Sequence, residues 1–324
     1  MNSIFRIGLL AMVTAGSLVG CNDHDSAPPA PPPPPPPAPP EFSVPVSVAP
    51  GGCPIETRDG KFLYTAAGPA DTNGLDIWAL RRTALTDTYD MRTKLAAPIS
   101  LDGTNDFCPL PAMDDWLLFV STRDGADKCG TPGPGLTGVD IFVTRYTVTV
   151  PTDASTALLQ TAHGEPQRLA CYPDGPNTAG TKFSPSLLGT PDGAFLFYSS
   201  NHDGVAATGS QDIFMSPLLP NGTYGPGVAV TALNTTFEDQ QPNVSRDGLI
   251  IVFASNRGGN MDIYMSKRAT TADAWGTPVN LSSTFNFPTA GSAETRPSIS
   301  WDMQRLYYGA DGLVYLSKRT PPAN

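Results

Sequence analysis

The chain has 324 residues, with 20 Lys and Arg against 30 Asp and Glu and a net charge of −10 at neutral pH. An acidic balance with no basic cluster argues against nucleic acid or an anionic lipid surface as partner, because both need concentrated positive charge. Metal ions, cationic groups and solubility are the uses left open for the acids.

Arg6 is the single charge in the first twenty residues, followed by an apolar stretch over residues 7–13 and small residues up to Gly20. This reads as a secretory signal and is too short for a membrane span. It ends Leu18-Val19-Gly20-Cys21, which resembles the lipobox of bacterial lipoproteins. That resemblance implies cleavage before Cys21, lipidation of its new N-terminus and stable anchoring by several acyl chains. Asn22, where enterobacterial sorting would read Asp, implies the outer membrane. The expected location is therefore the bacterial cell envelope, with membrane contact through the lipid anchor only and the periplasmic or surface face left open. Residues 28–40 follow, eleven of the thirteen being proline. Such a run adopts extended polyproline II and spans about 40 Å at 3.1 Å per residue, a stiff stalk. The domain reading is a signal over 1–20, lipidated Cys and tether over 21–40, and one folded domain over 41–324, which is long enough for a large core.

The folded domain opens with Phe42-Ser43-Val44-Pro45-Val46-Ser47-Val48 and then repeats one pattern five times. The fourth copy carries it fully: Gln241-Pro242-Asn243-Val244-Ser245-Arg246-Asp247-Gly248, then Ile251-Val252-Phe253-Ala254-Ser255-Asn256-Arg257, then Asp262-Ile263-Tyr264. The leading prolines are Pro54, Pro109, Pro185, Pro242 and Pro297, and the third-run signatures begin at Asp76, Asp140, Asp212 and Asp262, with Leu313 in the fifth copy. Each copy holds three short apolar or alternating runs separated by turn residues, which predicts three antiparallel strands. A fourth run follows a Pro, as in Trp275-Gly276-Thr277-Pro278-Val279, with Tyr224-Gly225-Pro226-Gly227-Val228 in the third copy and weaker counterparts around Pro98-Ile99 and Pro166.

Four strands per repeat predict an all-β fold, a single β-propeller. The last copy lacks its fourth strand, and the segment from Phe42 to Val48 has the shape to supply it. Closing the ring in this way leaves no open sheet edge. Five blades are predicted, with six as the alternative if the long interval from Pro109 to Pro185 hides a further copy; its excess is assigned to loops over 129–138 and 172–181.

Beyond Cys21 the chain has Cys53, Cys108, Cys129 and Cys171. An even number in an oxidising compartment predicts disulfides, with three connectivities possible. Cys53 and Cys108 stand at equivalent places before the leading Pro of neighbouring copies, which favours Cys53–Cys108 with Cys129–Cys171. No Cys-x-x-Cys spacing or His cluster supports zinc.

The Asp-Gly turns, Phe-x-Ser-x-Arg and Asp-Ile-aromatic elements resemble the WD40-like propeller repeat of the TolB family, which serves the Tol-Pal envelope system. The resemblance covers residues 53–319 and implies the fold; the family's role is not carried over, because the separate N-terminal α/β domain is missing and a lipobox is present. Asp76, Asp140, Asp212 and Asp262 recur in four copies, so they are assigned a fold role, accepting backbone N–H groups or meeting Arg123 or Arg257.

The candidate binding group is the set expected at one mouth of the central channel: Asp106, Arg123, His202, Glu238, Asp239, Arg257 and Glu294. A solvated acidic rim is the plain reading of these residues; a polar ligand or bound calcium held by several carboxylates is the functional one. No cofactor is called for and no catalytic residue is assigned. The leading expectation is a non-catalytic module that binds an envelope protein or glycan. The alternative is a propeller glycoside hydrolase acting on an envelope or extracellular polysaccharide, which needs two carboxylates at fixed separation.

Overall fold

The computed structural model describes residues 41–320, except 69–73, 83–88, 90, 124–128, 131–137, 151–157, 192, 202–209 and 282–291. The chain divides into two units, Met1–Ala38 and Pro39–Asn324, and the described residues all belong to the second. The signal, lipobox, stalk and His202 lie outside them.

Among the described residues, twenty-one strands form five antiparallel sheets. Blade 1 is β2 (Gly52–Glu56), β3 (Phe62–Ala67), β4 (Asp76–Arg81) and β5 (Met91–Lys94). Blade 2 is β6 (Asp106–Pro111), β7 (Trp116–Ser121), β8 (Asp140–Thr149) and β10 (Gln167–Arg168), with β9 (Leu159–Ala162) pairing the far half of β8. Blade 3 is β11 (Lys182–Thr190), β12 (Gly193–Ser200), β13 (Asp212–Pro217) and β14 (Val228–Ala229); blade 4 is β15 (Asp239–Val244), β16 (Ile250–Ser255), β17 (Asp262–Lys267) and β18 (Val279–Asn280). Blade 5 is β19 (Thr295–Ile299), β20 (Arg305–Ala310) and β21 (Leu313–Lys318), completed by β1 (Val46–Pro50) against β21.

The propeller is therefore five-bladed and closed by the N-terminal strand. Ser43 N–H donates to Lys318 O at 2.7 Å and Thr320 N–H to Glu41 O at 2.9 Å, extending the closure beyond β1. Two details differ from the sequence expectation. The long second interval is filled partly by the extended β8 and its partner β9. The fourth strand of blade 1 is β5, ahead of Pro98, because the residues after Leu95 form a turn.

The middle strands read as continuous apolar runs because both of their faces are buried between blades. In β7, Phe119 packs toward blade 1 against Tyr64 and Ile77, while Leu118 and Val120 pack toward blade 3 against Leu196 and Tyr198. The period-two geometry of a strand makes this division. In blades 2 to 5 the aromatic of the third strand stacks across the ladder on an aromatic of the second: Phe142 on Phe119, Phe214 on Tyr198, Tyr264 on Phe253 and Tyr315 on Tyr308, at 5.6–6.0 Å; in blade 1 Trp78 faces Thr65 instead. Cross-strand pairs of this kind contribute about 0.5–1.5 kcal/mol each beyond burial.

The hairpins between first and second strands of blades 1, 4 and 5 use one device. Asp59 accepts from Thr57 Oγ1 at 2.7 Å and from the Lys61 N–H at 3.1 Å; Ser245 and Ser300 hydroxyls donate likewise to Asp247 and Asp302 at 2.6 Å. Burial works against the charge of Asp59 and Asp302. Hydrogen bonds from Thr57 and the Lys61 amide at Asp59, and from Ser300, the Gln304 amide and Arg305 at Asp302, nevertheless hold both below the usual 3.8. A depressed folded-state pKa gives stability that is present above the unfolded value and lost as pH falls through the folded one. Urea unfolding should thus show a smaller loss between about pH 5 and about pH 3 for Asp59→Asn/Asp302→Asn than for the parent chain. An identical loss in both would remove these turns from the acid response.

Candidate ligand cleft at the channel mouth

The inner strands carry a feature the pattern did not announce. In every blade the residue before the leading proline has a positive φ: Cys53 48°, Cys108 47°, Ser184 44°, Gln241 59° and Arg296 56°. Each sits at a break in ladder register, as between Gln240 and Asn243, so each inner strand bulges toward the axis. Left-handed backbone at a non-glycine residue costs roughly 1–3 kcal/mol, and the packed ring holds it there. The five bulges leave only about 20 Å3 along the axis, room for one water. Disulfides join Cys53 to Cys108 and Cys129 to Cys171, with Cα separations of 4.8 and 5.3 Å. The first lies on this axis and ties blade 1 to blade 2.

The residue three places before each leading proline opens the channel mouth: Gly51, Asp106, Lys182, Asp239 and Glu294. In blades 2 and 4 this residue is the centre of a latch. Asp106 is fully buried and accepts from Leu101 N–H at 3.0 Å, Thr104 Oγ1 at 2.6 Å, Ser121 Oγ at 2.5 Å and Arg123 Nη2 at 2.7 Å. Asp239, equally buried, accepts from Thr235 N–H at 2.6 Å, Thr235 Oγ1 at 2.7 Å, Ser255 Oγ at 2.6 Å and the Arg257 guanidinium. Each arginine also lies over its blade's aromatic stack, Arg123 at 4.8 Å from Phe119 and Arg257 at 5.2 Å from Phe253. These arginines therefore pair with the inner-strand acids, and not with the third-strand Asp residues as expected from sequence. Asp76 pairs instead with Lys94 at 2.8 Å, Asp140 with Arg168 at 3.5 Å, and Asp262 accepts from Asn280 at 2.7 Å. In blade 3, buried Lys182 donates to Thr178 O, Thr178 Oγ1 and Gly180 O.

Of the sequence candidates, Asp106 with Arg123 and Asp239 with Arg257 thus form two separate latches. Glu238 accepts from Ser210 Oγ at 2.8 Å at the surface, and Glu294 is buried with Ser292 Oγ at 2.9 Å. His202 lies outside the described residues. Among the described residues no three His, Cys, Asp or Glu side chains gather as metal ligands.

Blades 5 and 1 break the latch pattern at the position where the ring closes. Gly51 stands in place of the acid, Ala67 and Ala310 in place of the serine, and Gly312 in place of the arginine. Gly51 is required as well as small: its φ is 112°, and a Cβ there would lie 2.8 Å from Ala66 O. The missing side chains leave a cleft of about 440 Å3, whose charged lining is Arg296, Arg92 and Asp311. Sequence reasoning passed over these residues. The usable signal was the substitution of glycine and alanine at positions that are Asp, Ser and Arg in other copies.

No family model matches the sequence, and no curated protein does. Among solved structures, the chain is similar to an α-L-arabinofuranosidase from Lactobacillus brevis at 12% identity, covering 84% of this chain and 91% of that one with a TM-score of 0.53. An endo-arabinase from Bacteroides thetaiotaomicron matches at 10% identity over 87% and 98% with a TM-score of 0.46. A TolB assigned as such only provisionally, from Agrobacterium tumefaciens, matches at 14% over 82% and 70% with a TM-score of 0.43. At such identities what is shared is the fold: this chain is a five-bladed β-propeller.

Proposed function

We propose that the protein is a polysaccharide-directed propeller of the bacterial cell envelope, held there by lipid on Cys21 and the proline-rich stalk, which takes its glycan in the cleft between blades 5 and 1. The observation that carries this reading is the cleft itself. Its volume falls within the 300–1,000 Å3 usual for small-ligand sites, and it is bounded mostly by glycine and alanine, with Thr295, Pro50, Leu75 and three charged residues. Protein-binding hot spots are built on clustered aromatic and large apolar anchors in dry pockets, whereas among the described residues the cleft lining holds no aromatic and a single large apolar side chain, Leu75. Sugar hydroxyls suit a polar wall of exposed backbone.

Hydrolysis of the bound glycan is the second reading, favoured by the fold shared with the arabinofuranosidase. It requires a pair of carboxylates. Among the described residues Asp311 is the one carboxylate on the cleft lining, and Asp106 and Asp239 are committed to arginines. The purified full chain should be incubated with a panel of neutral and acidic polysaccharides, with retention and new reducing ends both measured. Retention alone makes the protein a binding module. New reducing ends that disappear in Asp311→Asn make it a hydrolase. Neither retention nor turnover across the panel would sink the polysaccharide reading.

A further inference from the structure

Arg296 is the residue of the axial ring that has no counterpart. The equivalent positions in the other four blades hold Cys53, Cys108, Ser184 and Gln241, all uncharged. The Arg296 side chain reaches from the axis into the cleft and contributes to the lining of both spaces. Its Nε is sealed from solvent with no hydrogen-bond partner. Among the described residues no carboxylate pairs with its guanidinium; the nearest aromatic face is Phe107, at 5.8 Å. Burial pushes its pKa below the ordinary value, yet a guanidinium remains protonated in any protein environment.

A partly desolvated, unpaired cation is unfavourable for the fold. Arg82, which is buried, is matched by Glu56, and Arg123 and Arg257, half-buried like Arg296, by Asp106 and Asp239. The chain thus supplies a carboxylate to Arg82, Arg123 and Arg257, and backbone carbonyls to Arg268, whereas Arg296 at the floor of the cleft has an Nε with neither. Arg92, 4.0 Å above the Trp78 ring, adds a second positive charge at the cleft wall. Asp311 adds one negative charge beside the Gly312 turn, where a carboxylate can accept from sugar hydroxyls. The cleft therefore fits a ligand with a carboxylate at one end and hydroxyls at the other, within a protein whose net charge of −10 repels anions in general.

We propose that Arg296 is the floor of a carboxylate-binding subsite, so that the polysaccharide taken by the cleft is an acidic one bearing uronate residues. This rests on the reading of the cleft as a glycan site and specifies its substrate class. A planar guanidinium pairs with a carboxylate through two parallel hydrogen bonds, which an ammonium cannot reproduce.

The test is calorimetric titration of the full chain with trigalacturonate, with neutral galactotriose and with a short Glu-rich peptide. Trigalacturonate is expected to bind at least about 10-fold tighter than galactotriose, and Arg296→Gln to lose about 10- to 100-fold in that affinity, the range for charge-assisted hydrogen bonds. Arg296→Lys is expected to recover part of it. Arg296→Met should melt no lower than the parent, because it removes an unpaired charge from the interior; a merely structural arginine would lower it. Gly52→Ala gives an independent check, since its Cβ would stand 3.0 Å from Arg296 Nη1 and crowd the guanidinium without altering its charge. It should weaken trigalacturonate and leave galactotriose unchanged. Equal affinity for the two trisaccharides, or unaltered binding by Arg296→Gln, overturns the inference while leaving the polysaccharide reading in place. Binding of the Glu-rich peptide with no binding of either trisaccharide overturns the polysaccharide reading and the uronate class together.

Discussion

Asp239→Ala should destabilise the propeller by about 3–5 kcal/mol, the range found when one partner of a buried ion pair is removed. The carboxylate is fully buried and is the common acceptor for Thr235, Ser255 and Arg257. Alanine leaves the Arg257 guanidinium facing Phe253 and Tyr264 with two neutral acceptors, the Leu233 carbonyl and Ser255 Oγ. Asp239→Asn keeps the shape and part of the acceptor capacity, so it should cost less. Asp106→Ala should behave like Asp239→Ala, because Ser121, Thr104 and Arg123 converge on Asp106 in the same way. Equilibrium urea unfolding measures the difference; a loss under about 1 kcal/mol for both alanine variants would mean that the latches are dispensable. These residues were candidates for a binding mouth, and their burial makes them poor probes of binding: a charge reversal at Asp239 reports on folding first.

The blade count, the closing strand and both disulfides were legible in the sequence because a repeated pattern lets one copy be read against another. Pro242, Asp247-Gly248, Phe253 and Tyr264 recur closely enough to place every strand of blade 4. The two disulfides follow from equivalence of Cys53 and Cys108 and from the even number left. Three features were hidden for physical reasons. A residue before proline ordinarily takes extended backbone, so nothing at Cys53, Ser184 or Arg296 signals the left-handed bulge that the crowded axis imposes. Arg123 and Arg257 lie within reach of two kinds of Asp. The choice of Asp106 over Asp140 depends on the axial position of the inner strand, which spacing does not encode. The cleft arises from absent side chains at Gly51, Ala67, Ala310 and Gly312, and a search for reactive residues passes over small ones. Alignment of the five copies position by position exposes it.

The ring has one junction made by residues far apart in the chain, and a second large effect is expected there. Glu56 of β2 accepts from the guanidiniums of Arg82 and Arg305, the latter at 3.1 Å, and from Tyr307 OH at 3.3 Å. Arg82 Nη2 donates in turn to Tyr89 OH at 2.6 Å and Tyr307 OH at 2.8 Å. Arg305 and Tyr307 belong to β20, so this network joins blade 1 to blade 5. Glu56 and Arg82 are each about 1% exposed at the side chain. Glu56→Ala would leave two arginines without their shared carboxylate and should cost about 3–5 kcal/mol; Glu56→Gln, which keeps the shape and one acceptor oxygen, should cost less. The effect should also be local before it is global, because sub-global opening follows the weakest cooperative unit. Blade 5 depends on β1 for its outer strand, and β1 is joined to the rest of the sheet through β21. Hydrogen exchange should therefore accelerate in β1 and β21 of Glu56→Ala more than in β16 and β17 of blade 4. In Asp239→Ala the order should reverse. Uniform acceleration around the ring in both variants would show instead that the five blades open as one unit and that closure by the N-terminal strand confers no separate point of weakness.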